Sequence, residues 1–182
     1  MKTQTSLLNT DTRKDGPVGS TCAVRDQRET EGSIFTSIAQ QPFFAGFKPS
    51  HLQILSDSAM RTQFHMGQQI LEKGDPANRF YVILKGRVSL ETADEYGRVH
   101  QVHELSPGDA LGWSWAFPPY YWHFDAYAKE PTEAIFFYGT RLREVCEWNH
   151  DFGYELMKRM AEVVIGRLQA TRKHWIEERS AM

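Results

Sequence analysis

The chain has 182 residues, with 21 basic and 23 acidic side chains and a formal net charge of −2. A charge this close to zero gives no basic face for nucleic acid or an anionic membrane, so we expect neither partner. Hydrophobic residues make up 41% of the sequence and aromatic residues 13%, which is enough to build one domain with a sizeable core.

Cysteine usage and apolar runs indicate the compartment. Cys22 and Cys146 are far apart, and neither has a second cysteine at metal-ligand spacing. The longest apolar runs are about five residues, whereas a bilayer-spanning helix needs about 20. The N-terminus has no apolar stretch of signal-peptide length. We therefore expect a cytoplasmic protein.

The N-terminal part of the chain divides into a tail and a short helical region. Residues 1–31 contain no aromatic side chain and many small polar ones, so they cannot offset their ordering entropy by burial. We predict a flexible tail there and one domain over 32–182. Aromatic and aliphatic residues begin after Ser33, and Ser50 is a candidate N-cap for a helix near His51.

Strand signals fill residues 62–138. The apolar run Phe80–Leu84 is bounded by Gly74 and Gly86, and Asp94–Gly97 supplies a hairpin turn. Short strands at this spacing, without helices between them, predict an antiparallel jelly-roll barrel. With helices at both ends, the expected fold class is α+β and mainly β.

Helical periodicity returns after Gly139. A short helix is predicted at 141–148, and Asp151 is a candidate N-cap for a long helix over 151–178. On the long helix, side chains recur at alternating three- and four-residue steps, as in a coiled-coil seam: Met157, Met160, Val164, Leu168, Thr171 and Trp175. This seam predicts a homodimer. The alternative is a core helix without a partner helix, since Thr171 is polar.

The most specific feature of the sequence is residues 70–86, ILEKGDPANRFYVILKG, which we call the signature segment. It resembles the first half of the cyclic nucleotide-binding domain of catabolite-activator-type bacterial regulators, kinase regulatory subunits and gated channels. Residues 43–47, 106–112 and 167–172 resemble the flanking parts of that domain. The resemblance covers roughly residues 40–175 and implies a jelly roll followed by a dimerising helix.

The second half of that family's domain cradles a cyclic phosphate, with backbone amides, a Glu for the ribose hydroxyl and an Arg for the phosphate. When Gly112 and Ala128 are aligned with the family pattern, Trp113 stands at the Glu position and Trp122 at the Arg position. A shift of one or two residues brings Tyr121 or His123 to the Arg position instead. No Arg or Lys occurs between Leu111 and Tyr127. Tight cAMP binding is therefore disfavoured.

The same segment is rich in aromatic residues instead. The expected pocket walls are Val82, Leu84, Leu111, Gly112, Trp113, Ser114, Trp115, Tyr121, Trp122, His123 and Ala128. Three interpretations remain open: a pocket for a cyclic nucleotide or another flat or apolar ligand, a vestigial pocket filled by its own side chains, and an interface for an unidentified protein partner.

Metal and catalytic sites have little support. A cupin-type metal site would need two His on one strand face, and the three-residue spacing of His100 and His103 predicts opposite faces. His123 and Asp125 are predicted to share a face, most simply as a solvent-facing or structural pair. We interpret Cys146 as a core residue of its helix. No nucleophile motif or phosphate-binding loop is present, so we expect no enzyme.

Together these observations predict a stand-alone regulatory or sensor domain of bacterial type with a degenerate ligand cassette. The chain ends at Met182, so we expect no operator binding through the helix-turn-helix module that follows the long helix in transcription factors of that family. The alternatives are a genuine cAMP or cGMP receptor and, less favoured, a cupin-like metal enzyme. We predict no resident cofactor or metal.

Overall fold

The computed structural model describes residues 34–180. Residues 34–39 are helical (α1), and a 3₁₀ helix follows at Pro42–Phe44. The other helices are α2 (Pro49–Ser56), a 3₁₀ helix (Trp113–Ala116), α3 (Gly139–Trp148) and α4 (His150–Ser180). The strands are β1 (Ala59–Phe64), β2 (Gln69–Leu71), β3 (Arg79–Lys85), β4 (Val88–Ala93), β5 (Val99–Leu105), β6 (Ala110–Leu111), β7 (Asp125–Ala128) and β8 (Thr132–Tyr138). The predicted tail at 1–31 lies outside the described residues.

The strands form two four-stranded sheets, ordered β1-β8-β3-β6 and β2-β7-β4-β5. Every paired strand is antiparallel. The expected mainly β, antiparallel jelly-roll architecture is confirmed, although the strands make two sheets rather than one closed barrel. Within residues 34–180, no helix has the length and apolar character needed to cross a membrane.

Strand β3 shows where the core sits. Phe80 contacts Phe43 of the N-terminal 3₁₀ helix and Trp115 of the later one. The next residue, Tyr81, contacts Phe64 and Phe136. Because successive side chains of a strand point to opposite faces, β3 has an apolar layer on each side. Strand β3 is therefore an interior strand of its sheet and also packs against the two 3₁₀ helices.

Helix α2 begins earlier than predicted. Pro49 is its first residue, where a missing N–H costs nothing, and Lys48 occupies the N-cap position without a side-chain hydrogen bond. The prediction of Ser50 as the N-cap was therefore wrong, because Pro49 already fixes the start of the helix.

Helix α4 is capped by the residue before it. The Phe152 N–H donates to Asn149 Oδ1 at 3.1 Å, so Asn149 rather than Asp151 satisfies a free amide of the first turn. Asp151 instead pairs with Lys48 at 2.5 Å and lies 3.3 Å from His51. The prediction of Asp151 as the cap was wrong; its carboxylate ties α4 to α2.

The predicted seam of α4 is divided between two environments. Met160 is fully buried in the core of its own domain, and Met157 packs partly against that core. Val164 is half-buried, whereas Leu168 and Thr171 are exposed. The side chain of Trp175 lies outside the described residues. Met160 therefore does not face a partner helix in this arrangement, and among the predicted seam residues whose side chains are described, only Leu168 and Thr171 are exposed.

Candidate functional site

Residues 112–128, which we call the cassette, connect β6 to the end of β7. The segment starts at Gly112, whose φ of 84° places it in the left-handed region. A Cβ on Gly112 would lie 3.0 Å from the Trp122 ring and 3.1 Å from the Arg79 carbonyl oxygen. Glycine is therefore required both by the backbone angle and by the close approach of the indole.

Trp122 is the residue that the alignment from the sequence predicts at the family's phosphate-binding Arg position. Its side chain is only 7% exposed, and its six-membered ring lies against Gly112. An indole is a neutral donor with a large apolar surface, so this position offers burial and no positive charge. The cassette is closed at this point by its own side chain.

Backbone hydrogen bonds hold the cassette in this closed form. Gly74 N donates to Trp122 O and Trp122 N donates to Asp75 O, both at 2.9 Å. Ala77 N donates to Tyr120 O at 2.6 Å. The partners all lie in the loop between β2 and β3, which belongs to the signature segment. The two characteristic segments of the sequence are thus bonded to each other directly.

A second contact orders the start of the cassette. The rings of Trp113 and His123 stack with an interplanar angle of 9° and centroids 6.0 Å apart. The Ser114 hydroxyl lies 3.1 Å from Nδ1 of His123. Trp113, which the alignment predicts at the family's ribose-binding Glu position, thus has its ring stacked on His123. The cassette contains no Arg or Lys between Leu111 and Tyr127.

Trp115 belongs to the core and not to a ligand pocket. It is fully buried, contacts Phe80, and leaves no room for a side chain at Gly139, where a Cβ would lie 2.8 Å from its own Cβ. Arg143 of α3 donates to the Trp115 carbonyl at 2.7 Å and places its guanidinium 4.5 Å from the Tyr120 ring centre.

The other predicted walls fall into three exposure classes. The fully or nearly buried ones are Val82, Leu111, Gly112, Ser114 and Ala128. Leu84 and Trp113 are half-buried, and Tyr121 and His123 are exposed. Sequence reasoning missed Arg143 and Arg79, the latter 5.0 Å from the Phe136 ring centre. Neither lies in the cassette, and only the three-dimensional packing brings Arg143 to it.

The prediction that His100 and His103 lie on opposite faces of their strand was wrong. The β4–β5 register pairs Leu90 with His103 and Thr92 with His100, because a bulge at Val102 adds one residue to β5. Both histidines therefore share a face. His100 nevertheless bonds to Asp94 Oδ2 at 3.0 Å, and the described part of the chain contains no group of three or more His, Cys, Asp or Glu able to hold a metal ion.

The two remaining candidates are the His123–Asp125 pair and the Cys146 thiol, and their contacts do not favour reactivity. Asp125 accepts hydrogen bonds from the Lys73 N–H at 2.9 Å and from Gln69 at 3.3 Å, whereas His123 is bonded to Ser114. Burial, and then the nearby charge of Glu147, raises the pKa of the Cys146 thiol to about 11. A thiol with that pKa is protonated at neutral pH and is a poor nucleophile.

Comparisons with known proteins agree with this geometry. The family model described as "Cyclic nucleotide-binding domain" matches residues 61–149. A CRP-like cAMP-activated global transcriptional regulator of Mycobacterium tuberculosis is 27% identical over 82 residues, covering 45% of this chain and 37% of the regulator. A cAMP-dependent protein kinase regulatory subunit of Dictyostelium discoideum is 38% identical over 61 residues, covering 32% and 19%. The match thus spans well under half of either relative.

Solved structures share the fold. A cyclic nucleotide-binding domain from Methylobacillus flagellatus superimposes with a TM-score of 0.70 at 15% identity, covering 82% of this chain and 84% of that one. The regulatory subunit of a cAMP-independent protein kinase A from Trypanosoma brucei gives a TM-score of 0.64 at 20% identity, covering 84% and 53%. With the matching family model and the two antiparallel sheets, these findings show that this chain carries, at residues 61–149, a domain of the cyclic nucleotide-binding family.

Proposed function

We propose that the chain is a non-catalytic regulatory domain whose cassette is closed by Trp122, does not bind cyclic nucleotides tightly, and signals through α4. The observation that carries this proposal is the buried Trp122 indole lying on Gly112, at the position of the family's phosphate-binding Arg. A cyclic phosphate there would meet an apolar ring instead of a cation.

Two arginines close to the cassette already have partners of their own. Arg143 donates to the Trp115 carbonyl and lies over Tyr120, and Arg79 lies over Phe136. Losing a charged hydrogen-bond partner costs about 1.5–3 kcal/mol, which corresponds to roughly 10- to 100-fold in affinity. Displacing Trp122 adds to that cost, since its buried surface must return to water.

The fold by itself does not require cAMP. The trypanosomal regulatory subunit that shares it is described as part of a cAMP-independent kinase. The charges of the cassette, rather than the two sheets, decide whether a cyclic nucleotide is held.

The proposed output is the exposed part of α4. Ile165, Leu168 and Ile176 are all more than half exposed and recur at three- and eight-residue intervals. Side chains at these spacings lie close to one helix face and suit a partner helix. We propose that this face pairs two copies of the chain, with an unidentified protein partner as the alternative.

The cassette proposal is tested by calorimetric titration with cAMP and cGMP. We expect no saturable heat from the wild type below millimolar ligand. The double substitution Trp113→Glu with Trp122→Arg restores both family charges and should bind at least tenfold more tightly. Trp148→Arg, at an exposed position on α3, is the control for added positive charge and should behave as wild type.

Two results would overturn the proposal. One is saturation of the wild type at micromolar ligand, which would make the chain a genuine nucleotide receptor. The other is a folded double variant that binds no better than wild type, which would mean that the two tryptophans do not exclude the ligand. Thermal melting followed by circular dichroism establishes that the variant is folded, and Trp122→Arg alone serves if the double variant is not.

The α4 proposal is tested by sedimentation equilibrium. Leu168→Glu places a charge on the exposed apolar face and should convert a dimer to a monomer. Gln169→Glu, next to it and also exposed, is the matched control and should leave the dimer intact. A monomeric wild type at micromolar concentration contradicts dimerisation through this face.

A further inference from the structure

A cavity of about 270 Å³ lies where α4 crosses β5 and the turn before β6. Phe43 and Val163 form apolar parts of its lining, and the polar residues include His103 and Arg167. Gly108 and Gly166 stand on its two sides. A Cβ on Gly166 would meet nothing within 4 Å, so this helix position leaves the cavity open.

Arg167 places a guanidinium at the cavity without a direct ion pair. Its guanidinium donates to the Ala110 carbonyl oxygen, and among the described residues no acidic oxygen lies within 4.0 Å of it. Burial lowers the pKa of Arg167 to about 10, with Asp109 the opposing influence. A guanidinium has five N–H donors, so the bond to Ala110 leaves most of them available.

The lining also contains two carboxylates, those of Asp109 and Glu162, and each has a partner of its own. Asp109 Oδ2 accepts from the Ser106 N–H at 2.7 Å, and Glu162 pairs with Arg159 at 2.9 Å. Burial and the charge of Arg167 lower the pKa of His103, and Asp109 opposes that effect. A neutral imidazole can still donate one hydrogen bond.

We propose that this cavity binds a small oxyanion, a carboxylate or a phosphate, through the Arg167 guanidinium with His103 as a second donor. The planar fork of a guanidinium matches two oxygens of such an anion. The hydrogen bond to the Ala110 carbonyl oxygen uses one donor of Arg167, and the remaining N–H groups would bind the anion. The site is distinct from the cassette, since the cavity is lined by β5, the turn before β6 and α4.

The test is an amide NMR titration with sodium phosphate and, separately, sodium acetate, at constant ionic strength kept with sodium chloride. We expect saturable shifts of the Gly108 and Gly166 amides with a Kd in the low millimolar range or below. The indole signals of Trp113 and Trp122 should stay in place. Saturation by only one of the two anions identifies which chemistry the site takes.

Variants separate the site from general anion effects. Arg167→Met should lose at least tenfold in affinity, whereas Arg172→Met, an exposed arginine on the same helix, should titrate as wild type. Gly166→Leu keeps Arg167 and fills the cavity, and it should also lose binding, which covers the case of a poorly folded Arg167→Met. Shifts that do not saturate, or an unchanged Kd in folded Arg167→Met, would overturn the proposal.

This inference stands apart from the closed cassette. The anion titration is followed at the glycines of the α4 cavity, and the cyclic nucleotide titration depends on the tryptophans of the cassette. Either can fail alone.

Discussion

The signature segment (70–86) and the cassette (112–128) are hydrogen-bonded to each other, but they differ in how far they resemble the cyclic nucleotide-binding family. Both contain glycines at positive φ: Gly74, Gly86 and Gly112. In the cassette, however, the proposed alignment puts tryptophans at the two positions that carry charge in that family. Glycines of this kind are required by the backbone, whereas the family's charges contact the ligand, so the two kinds of residue can differ independently.

The largest expected effect is a difference in stability loss between substitutions of two tryptophans in the cassette, Trp115 and Trp113. Trp115→Ala removes a fully buried indole that contacts Phe80 and should lower the free energy of unfolding by about 3–5 kcal/mol. Trp113→Ala, at a half-buried position on the stack with His123, should cost about 1 kcal/mol. Urea denaturation followed by far-UV circular dichroism measures both. Equal losses of unfolding free energy would contradict the conclusion that Trp115 is a core residue and Trp113 is not.

A similar contrast applies to the glycines of the signature segment. A Cβ on Gly86 would lie 2.5 Å from Thr132 Oγ1 and 2.7 Å from the Pro131 carbonyl oxygen, whereas one on Gly74 would meet nothing within 4 Å. Both have φ near 90°. Gly74→Ala should therefore cost about 1–2 kcal/mol for the backbone angle alone, and Gly86→Ala about 3 kcal/mol or more because clash is added. The same urea experiment distinguishes them, and a larger loss at Gly74 would refute the reasoning.

The contact that orders the start of the cassette should be measurable as a coupling. A double-mutant cycle with Trp113→Ala and His123→Ala is expected to give a coupling free energy of about 0.5–1.5 kcal/mol. Trp113→Ala paired with His65→Ala, at an exposed position in the loop between β1 and β2, is the control and should be additive. Additivity in the first cycle would mean that the stack does not stabilise the closed cassette.

The smallest effect concerns the hairpin between the two halves. A hydrogen bond from His100, and then the Arg98 backbone N–H, lower the pKa of Asp94 to about 2 from 3.8. The folded state therefore gains stability from this carboxylate above pH 3.8 and loses it as the pH falls towards 2. Asp94→Asn should flatten the stability profile between pH 4 and 2, and Glu95→Gln in the same turn should not. An unchanged acid profile in Asp94→Asn would show that the ionised carboxylate is not what the hairpin uses.

Local patterns were enough to predict a region of antiparallel strands over 62–138, because alternation and turn residues act within a few positions, although β1 begins earlier, at Ala59. Helical periodicity predicted the helices at both ends. The exact helix starts were not predicted. Helix α2 starts at Pro49 although Ser50 is a suitable capping residue. Helix α4 is capped by Asn149 because Asp151, the other suitable residue, pairs with Lys48.

The closed state of the cassette could be predicted only in part. The loss of charge at Trp113 and Trp122 is visible in the sequence. The hydrogen bonds from Gly74 and Ala77 to the cassette backbone join residues more than 40 positions apart, and no local pattern encodes them. The sequence also did not predict that His100 and His103 share a strand face, because a β-bulge cannot be recognised from residue spacing alone.

The hydrogen bond between Arg167 and Ala110 fixes α4 near the midpoint of its length. The residues after Arg167 whose side chains are described are all exposed. They continue to Ser180 as a helix that projects about 20 Å at 1.5 Å per residue. A tilt of this segment by about 10° at Arg167 would displace its C-terminal end by about 3 Å. A small change in the position of the Arg167 guanidinium would therefore move the end of the helix by about 3 Å, which is enough to make or break a side-chain contact there.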